Sequence, residues 1–139
     1  MADMHENTMG LSKNTSVEDA VEANFRGETS EVGLYLAMAA RAQTEGYPEV
    51  AGVLKTIALE EANHAARFAL LNGKISASTK ENIQKMIAGE QGANAAKMEY
   101  SKKALEGAGA ETAELFAEAS RDEARHARML QGLLDRYFK

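Results

Sequence analysis

Residues 54–71, LKTIALEEANHAARFALL, carry Glu61-Ala62-Asn63-His64 on an apolar stripe of helical period, and residues 116–133, FAEASRDEARHARMLQGL, carry Glu123-Ala124-Arg125-His126 on another. These two Glu-x-x-His copies stand 62 residues apart. A glutamate lies 33 residues upstream of each, Glu28 before Glu61 and Glu90 before Glu123, and each follows a glycine, Gly27 or Gly89. Four carboxylates and two imidazoles from two equivalent halves are the donor set of a carboxylate-bridged dinuclear metal site in a four-helix bundle. The chain has only three histidines, so two of them fall in these motifs; the third, His5, sits in a polar N-terminal stretch and reads as a solvated bystander.

Working outward, the sequence predicts four long helices. Residues 1–15 lack any apolar period and read as a flexible tail, leaving 16–139 as one helical domain. The first helix is expected from Ser16, an N-cap with Asp19 three residues on, to about Glu45. Gly46-Tyr47-Pro48 breaks the chain, and Pro48 suits the first position of the second helix. That helix is expected to run to Asn72 and stop at Gly73. After a linker, Ser78-Thr79-Lys80-Glu81 reads as a capping box opening a third helix that continues to about Glu106. Gly107-Ala108-Gly109 is the last tight turn, with the fourth helix beyond. β-Branched alternation is absent, so the fold class is all-α.

Residues 24–71 and 86–133 look like an internal duplication. At the fixed offset of 62, Gly27/Gly89, Glu28/Glu90, Ala42/Ala104, Glu49/Glu111 and Ala51/Ala113 match, as do Ala62/Ala124, Ala65/Ala127 and Leu71/Leu133. Two copies of a helical hairpin make a pseudo-twofold bundle, in which a symmetric two-metal site is natural. Helical phase puts the donors on the apolar faces. Glu28 shares its stripe with Phe25, Val32, Tyr35 and Met38; Glu61 follows Leu54 and Ile57 and precedes Phe68. Glu123 and His126 lie among Phe116, Ala119 and Leu130. The third helix is weaker: Met86 and Ile87 precede Glu90, but Ala93, Asn94 and Lys97 follow it.

One Glu-x-x-His in an alanine-rich helix is usually a surface pair, since glutamate favours helices. The repeated set in inward phase reverses that reading. Ionised carboxylates crowded in a core without cations would each cost several kcal/mol, in order of magnitude, and would protonate instead. Glutamate-rich, imidazole-poor ligation favours iron or manganese over structural zinc. Glu61 and Glu123 are the natural bridging carboxylates, with Glu28 and Glu90 terminal and one histidine on each metal. The expected cofactor is therefore two iron ions, for which manganese or zinc can substitute. Four carboxylates leave the diferrous form neutral.

Composition excludes several other classes. A formal charge of -5 and a pI near 5.3 argue against nucleic acid as a partner, because phosphate binding needs a basic face. The absence of cysteine removes disulfides, thiolate metal sites and thiol nucleophiles. Neither a secretory signal nor an 18-residue apolar run is expected, so no membrane association follows and the default location is cytoplasmic.

The stretch GETSEVGLYLAMAARAQTEGYPEVAGVLKTIALEEANHAARFALL, with the closing SRDEARHARMLQGLLDRYF, resembles the ferritin-like domain of the rubrerythrin family. The GETSE and STKEN words make it similar to the reverse rubrerythrins, whose rubredoxin module precedes the helical domain. The resemblance covers about residues 16–138 and implies a ferritin-like four-helix bundle built from two hairpins. It also implies reduction of hydrogen peroxide to water at a non-haem di-iron centre, in oxidative-stress defence. The family's ligands carry over to Glu28, Glu61, His64, Glu90, Glu123 and His126. The rubredoxin module is missing, so electrons are expected from a separate donor such as rubredoxin. Ordinary rubrerythrins carry a further glutamate one turn after the third-helix ligand, where this chain has Ala93; the pseudo-symmetric position on the first helix is Glu31.

Glu31 is accordingly expected as a conditional ligand that exchanges with His126 between oxidation states, or as a hydrogen-bond partner of a ligand. Tyr35, two turns past Glu28, reads either as a hydrogen-bond donor to a ligand carboxylate or as core packing. The leading function is di-iron peroxidase; the alternative is a ferroxidase or iron-handling protein using nearly the same residues. The short linker over 73–80 also predicts a homodimer that exchanges its hairpins.

Overall fold

The computed structural model describes residues 8–139. They form four helices, α1 (Glu18–Thr44), α2 (Pro48–Leu71), α3 (Thr79–Gly107) and α4 (Ala110–Tyr137), with no strand among the described residues. Two compact units divide the chain between Ala77 and Ser78. The first is the antiparallel hairpin of α1 and α2, and the second is that of α3 and α4.

Helix ends follow the expected chemistry in most places. Pro48 opens α2, where its missing N–H costs nothing. The α2 C-terminus closes through Gly73, whose φ of 60° is left-handed and favours glycine. There the Gly73 N–H donates to the Leu70 carbonyl and the Lys74 N–H to the Ala69 carbonyl, both at 2.9 Å. Ser78 caps α3 by accepting the Glu81 N–H at 3.3 Å. Only α1 departs clearly: it begins at Glu18 after Val17, without a side-chain cap, rather than at Ser16. The cause lies just upstream. Ser12–Thr15 already turn, with the Thr15 hydroxyl donating to the Ser12 carbonyl at 2.6 Å, and the Asn14 N–H takes the Glu18 carboxylate at 2.6 Å.

Of the expected flexible tail over 1–15, residues 1–7, and His5 with them, lie outside the described residues. Residues 8–15 form turns against the C-terminal end of α2. The Gly10 N–H donates to the Leu70 carbonyl at 2.8 Å, and the Ser12 N–H and hydroxyl reach the Leu71 carbonyl at 3.1 and 2.7 Å. These carbonyls belong to the last turn of α2, which has no intrahelical donors left to offer them. A polar segment without period finds its order there. Lys74 adds a tie to α1 by meeting Glu22 at 2.7 Å and lying over the Phe25 ring.

Small residues line each hairpin's interior. In the first, Ala51, Ala58 and Ala65 on α2 recur every seven residues and are buried, and Ala51 packs against Ala39 and Ala42 of α1. In the second, the matching stripe is Ala113, Ser120 and Ala127 on α4, with Ala104 on α3. A seven-residue repeat holds one seam between two slightly inclined helices, and alanine lets their axes approach closely. Large side chains are left outside: Leu34, Met38 and Val53 in the first hairpin, and Met86, Leu115 and Met129 in the second, are all exposed.

Ser120 is the one polar member of the stripe. It is fully buried, donates its hydroxyl to the Asn94 carbonyl at 2.9 Å, and accepts the Asn94 amide at 2.9 Å. The same amide also donates to the Ser120 carbonyl at 2.7 Å. Ser120→Ala is expected to lower the unfolding free energy by about 1 kcal/mol, the net worth of an ordinary hydrogen bond. Ser120→Val should cost more, about 1–3 kcal/mol, because it overpacks a fully buried position between α3 and α4. Urea unfolding followed by circular dichroism measures both.

Candidate metal centre

Each hairpin builds one donor set by the same local rule. One helix supplies a glutamate; the other supplies Glu-x-x-His, whose three-residue spacing stacks carboxylate and imidazole on one face. In the first hairpin Glu28 of α1 meets Glu61 and His64 of α2, and in the second Glu90 of α3 meets Glu123 and His126 of α4. Within each set, one donor atom per residue lies within 4.8 Å of the others. His64 Nδ1 is 2.8 Å from Glu61 Oε2 and 3.8 Å from Glu28 Oε2. His126 Nδ1 is 3.4 Å from Glu123 Oε2 and 3.5 Å from Glu90 Oε2. The four carboxylates are mostly shielded, and the imidazoles are about half-exposed.

Two carboxylates held this close cannot both ionise freely. The hydrogen bond to Glu61 raises the Glu28 carboxyl above its ordinary value, with burial adding to it. Glu61, accepting that bond and facing His64, is lowered. Glu90 and Glu123 repeat the relation: Glu90 is raised by its bond to Glu123, and Glu123 is pushed down to about 2 by that bond and then by Lys97. Within each pair, Glu28 or Glu90 is therefore the harder of the two to ionise. An imidazole nitrogen and two mutually repelling carboxylates, with donor atoms within 4.8 Å of one another, are a donor set that a divalent cation satisfies, so the residues fit a metal. Each set offers three protein donors, two carboxylates and one imidazole, and leaves positions open for further ligands.

The remaining expected residues are placed as follows. Glu31 lines an open cleft of about 480 Å³ together with Glu28, Glu61, His64 and Gly27. Its charge is among the causes that raise Glu28. It does not belong to the three-donor set itself. Tyr35 is half-buried. The expected hydrogen bond from its hydroxyl to a ligand carboxylate is not formed among the described residues. One functional neighbour escaped the sequence reading: Lys97 of α3 places its Nζ 2.6 Å from Glu123 Oε1. Its signal was the offset of 62, which sets Lys97 against Tyr35, seven residues past each upstream glutamate.

Two helical hairpins, each carrying a glutamate and a Glu-x-x-His, are consistent with a ferritin-like four-helix bundle, and their donor sets are compatible with a two-metal site. The family model described as rubrerythrin matches residues 19–134. An uncharacterized protein of Methanocaldococcus jannaschii is 56% identical over 136 residues, covering 98% of this chain and 96% of that protein. Reverse rubrerythrin-1 of Clostridium acetobutylicum is 44% identical over 137 residues, covering 96% of this chain and 76% of that one. The chain belongs to the rubrerythrin family. Its 139 residues contain no cysteine and hence no four-cysteine rubredoxin iron site. No described helix is long and apolar enough to cross a membrane.

Proposed function

We propose that the protein is a non-haem di-iron peroxidase of oxidative-stress defence, working in the cytoplasm. It reduces hydrogen peroxide to water with electrons from a separate redox protein such as rubredoxin. The observation that supports this most directly is the pair of matched donor sets, each with two carboxylates and one imidazole. Glu28, Glu61, His64, Glu90, Glu123 and His126 would hold the iron pair. The likeness to a reverse rubrerythrin supports the choice of reaction.

When bound, a ferrous pair supplies the two electrons that, with two protons, convert one peroxide into two waters; the external donor then restores the ferrous state. The chain's own part is to hold and orient. The Glu-x-x-His spacing fixes each imidazole against its neighbouring carboxylate. Glu31, one turn past Glu28 and facing the same cleft, is the conditional ligand, offering a hard carboxylate to the ferric state where the His126 imidazole suits the ferrous one. The active species is a homodimer with exchanged hairpins.

The test is anaerobic loading with Fe(II), then mixing with peroxide or with dioxygen while iron oxidation is followed by absorbance. Peroxide is expected to oxidise the pair in a single two-electron step, about tenfold or more faster than dioxygen, a difference of about 1.4 kcal/mol in barrier. Faster oxidation by dioxygen, with iron released or mineralised, would overturn the peroxidase reading in favour of a ferroxidase.

A further inference from the structure

The two donor sets match at the offset of 62, but their neighbours do not. Beside Glu28 and Glu61 stand Glu31 and Tyr35; at the corresponding positions beside Glu90 and Glu123 stand Ala93 and Lys97. Counted with every group ionised, the Glu28, Glu31 and Glu61 neighbourhood carries three negative charges. Glu90 and Glu123 carry two, and the Lys97 ammonium cancels one of them. Lys97 is not a loose surface cation. Its side chain is 30% exposed and its Nζ lies 2.6 Å from Glu123 Oε1, the length of a charge-assisted hydrogen bond. It engages Oε1, while Oε2 is the oxygen turned to His126.

We propose that Lys97 is a positioning residue that makes the two metal positions unequal, so that the Glu28–Glu61–His64 set fills first and the Glu90–Glu123–His126 set second. Two physical effects act in the same direction. A cation approaching Glu123 must compete with an ammonium already bonded to it and meets that ammonium's charge at short range. A cation approaching Glu61 meets no such competitor and gains the field of Glu31. Lys97 also occupies Glu123 Oε1, so that oxygen serves a cation only after the ammonium has been displaced, while Oε2 stays beside His126. Glu61 has no lysine partner among the described residues and keeps both oxygens for the cations. The inference rests on the dimetal reading above.

The test is titration of the metal-free protein with Co(II), whose absorption reports each binding step, alongside calorimetry. Repulsion between two divalent cations separates the steps in any dimetal site, so the diagnostic is how the separation depends on Lys97. Lys97→Met is expected to tighten the second step by about tenfold to a hundredfold, the effect of removing one nearby charge, while the first step moves little. Lys97→Arg should keep the wild-type separation, because it restores the charge on Glu123. Glu31→Ala should weaken the first step. A Lys97→Met protein of normal helicity whose steps are unchanged, or whose second step weakens, would overturn this inference and leave the dimetal reading intact. Failure of the wild-type protein to bind cobalt would overturn both.

Discussion

A Glu123→Ala protein loaded anaerobically with Fe(II) is expected to retain at most one iron per centre, whereas Glu45→Ala and Glu49→Ala proteins retain two. Glu123 is a donor of the second set and, in the proposed centre, a bridge, so its loss weakens both metals. Removing one member of a shielded charged pair typically costs about 3–5 kcal/mol. Such a loss is roughly a hundredfold to several-thousandfold in affinity. Glu45 and Glu49 are sound controls because they face solvent at the α1–α2 turn, and Glu45 is paired with Arg41 at 2.7 Å. The fold of the variant should survive. Lys97, which loses its partner, is exposed enough to rehydrate, and Ser120 and Asn94 still lock α3 to α4 one turn away. Glu61→Ala should behave in the same way from the other hairpin. Iron analysis after desalting, with circular dichroism as a check on folding, decides the matter; full two-iron occupancy in Glu123→Ala would sink the ligand assignment.

What the sequence disclosed, and what it did not, follows from the range of the interactions concerned. Glu28, Glu61, His64 and their counterparts were legible because a helical repeat of 3.6 residues converts spacing directly into a shared face. The turns were legible because Pro48, Gly73 and Gly109 each answer a local backbone requirement. The anchoring of residues 8–15 was not, because it depends on carbonyls at the end of α2 that lie close only after folding. Its consequence, the displaced start of α1 at Glu18, was hidden with it. Ser120 was not singled out by the sequence, because its partner Asn94 meets it only across the α3–α4 seam. Lys97 looked like evidence of a wetter third helix, when it marks where one of two matched sites carries a counter-charge. Symmetry in the sequence revealed the donors; the departures from symmetry carried the finer information, and they needed the cross-helix distances to be read.

Mixing two inactive proteins is expected to restore metal binding. The reason is the length of the linker between the hairpins. His64 lies seven residues before the end of α2 and Glu90 eleven after the start of α3. In a single-chain ferritin-like bundle with the donors level, the connection has to cover ~27 Å at 1.5 Å per residue. The chain from Leu71 to Thr79 reaches only ~26–29 Å when fully extended, and Gly73 with Lys74 already spends part of it in a turn. Short connections of this kind favour exchange of elements between copies. In an exchanged dimer, each centre takes Glu28, Glu61 and His64 from one chain and Glu90, Glu123 and His126 from the other. A heterodimer of Glu61→Ala with Glu123→Ala then gathers both lesions into one centre and leaves the other intact. Co-refolded in equal amounts, random pairing makes about half of the dimers mixed, so two-metal occupancy should recover to roughly a quarter of the wild-type value. Without exchange, every centre carries one lesion and nothing is recovered. A monomer in solution that binds two metals, or a mixture no better than its components, would refute the exchange.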